Sequence, residues 1–230
     1  HPEYRRQRQM CIRDSHYITQ ILSYLFRSIG KTCDIVDVYK SKDDTNENIV
    51  YIITFPQHVD PMPKRYIVYQ LEQLQQSLYG KSHMYQTKLS NAMLCLDYSM
   101  TNINANKTRG IIQKWLPVPI AHIPSVFCHE VPSDESRIDV LFYGSLNHRR
   151  TLILQYLNHV LKLQGYSLIV VHNKLFGEDL YKCIRRSRVV LNIGYYKDTL
   201  LATYRLNEVL VHQRIVVSEK SAHTLSLIHI

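Results

Sequence analysis

Short runs of apolar residues alternate along the chain with longer stretches in which apolar residues recur every three or four positions. The short runs predict strands, and the periodic stretches predict amphipathic helices. The first half yields helix Tyr17–Ile29, strands Asp34–Tyr39, Ile49–Phe55 and Tyr66–Tyr69, helix Met84–Ala92, strand Met93–Leu96, helix Met100–Arg109 and strand Gln113–Leu116. These strands are apolar almost throughout, which is typical of a sheet that is covered on both faces.

The second half alternates strands and helices in strict order. Its pattern predicts strand Ile138–Tyr143, helix Arg149–Leu163, strand Ser167–Val171, helix Glu178–Arg186, strand Val189–Ile193, helix Leu200–His212 and strand Ile215–Ser218. This order indicates right-handed crossovers and a parallel sheet. A Pro-containing stretch without periodicity predicts a linker over 119–137. We therefore expect an α/β fold with two Rossmann-like domains, an N-terminal one over 16–118 and a C-terminal one over 138–224.

Both ends of the chain read as translated sequencing adaptor. The segment RRQRQMCIRDS, at 5–15, is the translation of a transposase-type adaptor, and LSLIHI, at 225–230, translates part of its reverse complement. Segments of this origin are left out of fold reasoning. We expect residues 1–15 and 225–230 to be adaptor-derived, and the native part to be a metagenomic fragment that is truncated at both ends.

Composition and charge narrow the classes of function. With 45% hydrophobic and 20% charged residues the chain is typical of a globular protein, and it has no apolar run long enough to span a membrane. Peripheral membrane contact stays open. The net charge of +9 falls to about +7 without the four arginines and two acidic residues of the flanking segments. A basic nucleic-acid-binding protein is thus one hypothesis, but no recognised motif supports it and we expect no specific nucleic-acid partner.

The four cysteines outside the flanking segments are far apart and form no Cys-x-x-Cys pair. This spacing favours reduced thiols, and hence a cytoplasmic protein, over a disulfide framework or a zinc site. The sequence also contains no Asp-x-Asp motif that would hold a diphosphate-bound cation. We therefore expect no metal site.

Two turns in the second half carry the candidate site, because ligands of open α/β sheets bind outside the carboxyl ends of the strands. The first turn, GSLNHRR, begins with Gly144 and Ser145 and places Arg149 and Arg150 in the first turn of a helix, which Ser145 or Asn147 can cap. Cations have the wrong sign for a helix N-terminus, and a bound phosphate would reverse that penalty. Alternatively, the guanidinium groups point into water or pair with acidic residues elsewhere. The residues themselves leave both interpretations open.

The second turn, GYYKDT at 194–199, precedes the next helix, and Asp198 or Thr199 is expected to cap that helix. On the helix, Arg205 and Glu208 lie three residues apart on one face. They can form a surface ion pair of little energetic weight. If the face borders a cleft, the same two side chains can bind a phosphate and a ribose.

Several segments of this region share a known pattern. They are LNIGYY at 191–196, RLNEVL at 205–210 and IVVSE at 215–219, preceded by VLFYGS at 140–145 and, in the first half, by YIVYQLEQ at 66–73 and LDYS at 96–99. Together they resemble GT-B fold glycosyltransferases of the group 1 type, including bacterial and viral proteins of this kind. The resemblance covers roughly residues 66–219.

The resemblance implies a GT-B-like pair of Rossmann-like domains and transfer of a sugar from a nucleotide-diphosphate-sugar to an unknown glycan, protein or lipid acceptor. It implies no metal and no further cofactor. It assigns donor binding to Gly144, Ser145, Arg149, Arg150, Tyr195, Tyr196, Arg205 and Glu208. In this assignment Glu208 accepts hydrogen bonds from the ribose hydroxyls, and the three arginines stabilise the leaving diphosphate.

Two positions depart from the group 1 pattern. The acidic residue expected eight positions before Glu208 is Leu200 here, and the histidine that often follows Leu-Asn-Ile is Gly194. Both departures favour nucleotide binding over catalysis. They support a second hypothesis, a catalytically silent α/β module that binds a nucleotide or a glycan.

Overall fold

The computed structural model describes residues 16–36, 48–108, 110–111, 114–118, 137–172, 175 and 177–221. The α-helices are α1 His16–Ser28, α2 His83–Ser90, α3 Met100–Thr108, α4 His148–Leu163, α5 Gly177–Arg186 and α6 Thr203–Leu210. The strands are β1 Tyr51–Ile53, β2 Tyr66–Gln70, β3 Leu94–Asp97, β4 Trp115–Pro117, β5 Ile138–Tyr143, β6 Leu168–Val171, β7 Ser187–Asn192 and β8 Ile215–Ser218. Short 3-10 helices occupy Pro56–His58 and Leu78–Lys81.

The predicted α/β class with parallel sheets is confirmed. One four-stranded sheet has the order β1-β2-β3-β4, the other has the order β6-β5-β7-β8, and every pairing between neighbours is parallel. The described residues divide into two compact units. The first unit contains residues 26–118, and the second contains residues 16–25 together with those from 137 to 221.

The core of the first unit lies against its sheet. Tyr66 and Val68 of β2 pack in one buried cluster with Leu89 of α2, Ile103 of α3 and Trp115 of β4. Alternate positions along β2 and β3 enter this cluster, because successive side chains of a strand point to opposite faces. The two helices cover apolar strand surface that would otherwise contact water.

The core of the second unit forms where α4 covers its sheet. Val140 and Phe142 of β5 pack with Leu154 of α4 and with Leu191 of β7. Helix α4 begins at His148 because the side chain of Asn147 accepts the backbone N–H of Arg150 at 2.8 Å. The predicted cap at this turn is therefore confirmed for Asn147.

Helix α1 differs from the sequence prediction in its place in the fold. The sequence assigned it to the domain over 16–118, whereas its residues 16–25 belong to the second unit. Tyr17, Ile18 and Ile21 are buried there, and Gln20 accepts a hydrogen bond from Tyr181 of α5 at 3.4 Å. An amphipathic helix packs where its apolar face finds a partner, and sequence adjacency does not decide which sheet supplies that partner.

Most predicted elements are present, with shifted ends. Strands Ile138–Tyr143 and Ile215–Ser218 match the structure to the residue. The helix predicted over Leu200–His212 is shorter: Asp198 has a left-handed φ of 57°, and Ala202 is the N-cap of the helix that follows. The expectation of a cap at Asp198 or Thr199 was therefore wrong.

Some predictions fall on residues that the structure does not describe. Of the predicted strand Asp34–Tyr39, residues 34–36 form no strand and the remainder lies outside the described residues. The adaptor segments and the linker, apart from Arg137, also lie outside them. Among the helices that the structure describes, none is long and apolar enough to cross a membrane.

Candidate functional site

The strand order of the second unit produces a topological switch point between its two central strands, β5 and β7. From β5 the chain moves to β6 on one side and then crosses to β7 on the other side, so the direction of winding reverses at β5. In open α/β sheets ligands bind at such a switch point, outside the carboxyl ends of the strands. The turns after β5 and β7, which are the two turns singled out in the sequence, both lie at this position.

Arg150 joins the two turns. Its guanidinium donates to the carbonyl of Ile193 at 2.6 Å and to the carbonyl of Ser145 at 2.7 Å, and its Nε also lies 3.3 Å from the carbonyl of Gly194. The side chain is only 5% exposed and lies 5.4 Å from the ring centre of Phe142. These acceptors are backbone oxygens of the protein itself, so Arg150 holds the shape of the site.

Arg149 is paired with an acidic side chain that the sequence prediction did not include. Its guanidinium forms an ion pair with Glu219, which follows β8, and donates to the carbonyl of Gly194 at 2.9 Å. The other carboxylate oxygen of Glu219 accepts the backbone N–H of Gly194 at 3.0 Å. Of the two interpretations left open for the basic turn, pairing with an acidic residue is the one observed for Arg149.

Gly144 brings β5 close to α6. Its φ is +131°, and a Cβ at this position would lie 2.9 Å from Nη1 of Arg205. The Arg205 guanidinium donates to the carbonyl of Tyr143 at 3.1 Å and lies 5.1 Å from the centre of the Tyr143 ring. Only glycine gives the guanidinium this space while adopting the required backbone angle.

Glu208 lies beneath the same edge of the sheet. Its carboxylate accepts a 2.7 Å hydrogen bond from the phenol of Tyr143. Glu208 and Arg205 are each 8% exposed, so they do not lie on the surface, as the ion-pair interpretation assumed. The structure places their helix face against the core of the unit, because α6 packs on β7 and β8.

A group of aromatic side chains surrounds Glu208, and no sequence pattern indicated it. Burial and then the nearby charge of Glu208 raise the pKa of Tyr17 of α1 and the pKa of Tyr181 of α5 above the usual phenol value. The ring of Tyr181 lies 4.9 Å from that of His212. These residues come from three separate parts of the chain, so only the tertiary fold could have shown their proximity.

Tyr195 and Tyr196 form the outer part of the second turn. Their rings meet edge to face with centres 5.0 Å apart, and Tyr195 is 36% exposed. The ring of Tyr195 also covers the Arg150 guanidinium, whose carbon lies 5.2 Å from the ring centre. Asn147 donates to the carbonyl of Tyr195 at 2.6 Å and so fastens this turn to the first.

The structure thus brings together all eight residues assigned to donor binding, but in two roles. Arg150 and Arg205 are buried and hold backbone carbonyls, whereas Tyr195 and Arg149 are partly exposed to solvent. Arg149 also donates to the carbonyl of Gly194. Glu219 was missed as a site residue. Its signal in the sequence is a single acidic residue directly after the last strand, at the same edge of the parallel sheet as both turns.

A second group of polar residues lies at the carboxyl ends of β2 and β3 in the first unit. Asp97 and Gln70 are fully buried. Asn102 donates to the Asp97 carboxylate at 2.9 Å and to the carbonyl of Glu72 at 2.7 Å, while Tyr85 donates to Gln70 at 2.9 Å. These bonds satisfy the buried groups from within the unit and hold the loop after β2.

Within the part of the chain that the structure describes, no group of three or more His, Cys, Asp or Glu side chains is arranged to hold a metal ion. Comparison of the chain with protein-family models, with curated proteins and with solved structures finds no match.

Proposed function

We propose that the second unit binds a nucleotide-diphosphate-sugar and that the protein is a metal-independent glycosyltransferase. The observation that carries the proposal is the position of the site. Both turns of the donor-side signature lie at the switch point between β5 and β7, where open α/β sheets bind nucleotides. In this proposal the two units correspond to the two domains of a GT-B-like enzyme, which is cytoplasmic, and the acceptor is a glycan, protein or lipid.

The roles of the side chains follow from where they lie. Glu208 is the buried carboxylate that accepts hydrogen bonds from the ribose hydroxyls, and the Tyr143 phenol orients this carboxylate. Arg149 is the cation that the diphosphate reaches, since its side chain is 28% exposed. Tyr195 offers an exposed ring for stacking against a flat ligand group. Arg150 and Arg205 add fixed positive charge beneath the two turns.

A second candidate, a nucleotide- or glycan-binding module without transferase activity, also has an observation in its favour. All three arginines assigned to the leaving group donate to backbone carbonyls. Arg149 donates to Gly194, Arg150 to Ser145 and Ile193, and Arg205 to Tyr143. These bonds reduce their freedom to follow a departing diphosphate. Leu200 in place of the acidic residue points the same way.

Thermal unfolding with UDP, GDP, ADP and CMP tests the shared binding step. A ligand that binds only the folded state at a hundredfold excess over Kd stabilises it by about 2.7 kcal/mol. We expect one diphosphate to raise the melting temperature of the wild type and to have little effect on Glu208→Gln. Asp179→Asn, which changes an exposed carboxylate of α5 in the same unit, is the control and should respond like the wild type.

If no nucleotide raises the melting temperature of the wild type, the proposed function is wrong. If one nucleotide binds in a Glu208-dependent way, hydrolysis of the matching nucleotide-sugar separates the two candidates. Release of the nucleoside diphosphate supports the transferase, and binding without its release supports the silent module.

A further inference from the structure

The Glu219 carboxylate contacts two groups that are suited to an oxyanion. One of its oxygens accepts the Gly194 N–H at 3.0 Å, and the other pairs with the Arg149 guanidinium. Arginine forks and exposed backbone N–H groups are the groups with which proteins hold phosphate oxygens. Glu219 therefore occupies, with its own negative charge, a place in which a phosphate group would find the same partners.

The position of Arg149 strengthens this interpretation of the contact. Arg149 is in the first turn of α4, a 16-residue helix, and a cation at a helix N-terminus is disfavoured by the helix dipole. A negative charge next to the guanidinium compensates this penalty. Glu219 supplies that charge across 70 positions of sequence.

The contact is also accessible and replaceable. The Arg149 and Glu219 side chains are 28% and 37% exposed, and ion pairs open to solvent in this way contribute little to stability. The turn after β7 does not depend on the Glu219 side chain for its shape, because Arg150 joins the two turns independently and Arg149 keeps its own 2.9 Å bond to the carbonyl of Gly194. The backbone N–H of Glu219 also donates to the carbonyl of Asn192 at 2.9 Å, whatever the side chain does. The carboxylate can leave while its partners stay in place.

We propose that Arg149 and the Gly194 N–H form an oxyanion-binding site, that Glu219 occupies it in the unliganded protein, and that a phosphate or diphosphate group binds there by displacing the Glu219 carboxylate. The proposal rests on the proposed function in one respect, since it names the contact made by the diphosphate of the donor. Glu219 is then an internal competitor that lowers the affinity of the site for anions.

Isothermal titration with inorganic pyrophosphate tests the competition directly. We expect Glu219→Gln to bind pyrophosphate about tenfold more tightly than the wild type, which corresponds to about 1.4 kcal/mol. Glu219→Ala should show the same gain, which covers the case in which the glutamine amide keeps a hydrogen bond to Gly194. Adding Arg149→Gln to Glu219→Gln should remove the gain.

Asp139→Asn is the matched control. It removes the same charge from the same unit, but near the amino end of β5, where Asp139 accepts hydrogen bonds from Ser167. Its pyrophosphate affinity should equal that of the wild type. Circular dichroism spectra of all variants establish that the fold is kept.

The proposal is overturned if no variant binds pyrophosphate, if the Glu219 variants bind it no more tightly than the wild type, or if Asp139→Asn gains as much as they do. Titrations with UDP and GDP distinguish this failure from failure of the proposed function. Tighter pyrophosphate binding by the Glu219 variants without nucleotide binding supports the anion site and refutes the proposal that a nucleotide binds there. If nucleotide binding depends on Glu208 but is unchanged in the Glu219 variants, the proposed function stands and only the competition by Glu219 is refuted.

Discussion

Tyr143 at the end of β5 donates a 2.7 Å hydrogen bond to Glu208 of α6, 65 positions away in sequence. The bond joins β5 to α6 at the carboxyl end of the sheet, where both turns lie. Because Tyr143 and Glu208 are buried, water could not replace this hydrogen bond if one partner were removed. It is therefore a contact on which both the fold and the proposed ribose site depend.

Replacing the phenol tests this contact. We expect Tyr143→Phe to lower the free energy of unfolding by about 2 kcal/mol, since hydrogen bonds to charged groups contribute more than neutral ones. Tyr66→Phe is the comparison, because the Tyr66 phenol donates at 2.7 Å to a neutral acceptor, the carbonyl of Lys88. It should cost about 1 kcal/mol. Urea denaturation of both variants measures the difference, and equal losses would argue against a charged Glu208.

Gly144→Ala tests the close approach of α6 to β5. The added Cβ would lie 2.9 Å from the Arg205 guanidinium, at a backbone φ of +131°. Gly165→Ala is the control, since Gly165 has a φ of +78° and a Cβ added there would meet nothing within 4 Å. A left-handed backbone such as that of Gly165 costs about 1 kcal/mol, whereas a φ of +131° lies outside that region and the added Cβ also displaces the guanidinium. We therefore expect Gly144→Ala to cost at least about twice as much, and thermal melts that show the two variants to be equal would refute both arguments.

Arg150→Met tests whether this side chain holds the site together. Loss of the guanidinium removes its hydrogen bonds to the carbonyl of Ser145 and to that of the buried Ile193, and we expect a destabilisation of about 3 kcal/mol. Arg188→Met is the control, because that side chain is 56% exposed and should change stability far less. Far-UV circular dichroism during urea titration follows both. If Arg150→Met leaves the free energy of unfolding unchanged, the two turns are held by other contacts.

The stability of the first unit should depend on pH through Asp97. Burial raises the pKa of this carboxyl group to about 8, although Ser99 and Asn102 donate hydrogen bonds to it. A carboxyl group whose pKa is higher in the folded state favours folding when it is protonated. Its contribution is therefore complete at acid pH and is lost as pH rises from about 4 to about 8, by at most about 1.4 kcal/mol per pH unit.

Asp97→Asn removes this titration. We expect the stability of the wild type relative to Asp97→Asn to fall between pH 4.5 and pH 7.5, both values lying inside the window of about 4 to 8. The fluorescence of Trp115 reports on this unit, because the chain has one tryptophan and it is buried in the core around β2. A difference that does not change with pH would show that Asp97 is ionised throughout.

Local features of the chain were sufficient to predict the order of strands and helices in residues 137–221. The alternation of apolar runs with periodic stretches predicted parallel strands, and Ile138–Tyr143 and Ile215–Ser218 have the expected bounds. The cap at Asn147 could be predicted because a cap involves neighbouring residues only. The two candidate turns could be expected at the same end of the sheet because the carboxyl ends of parallel strands meet there.

What the sequence could not determine is which side chains meet at that edge. Arg149 contacts Gly194 and Glu219 across 45 and 70 positions, and helix α1 joins the second unit from the other end of the chain. Such contacts depend on the order β6-β5-β7-β8 and on how the helices cover the sheet. The sequence by itself determined most of the strands and helices and the turns between them, because these follow from short-range periodicity and turn chemistry. Only the tertiary structure decided that Arg150 supports the site and that Glu219 enters it, because an arginine can bind a carbonyl, a carboxylate or a phosphate equally well and its surroundings select among them.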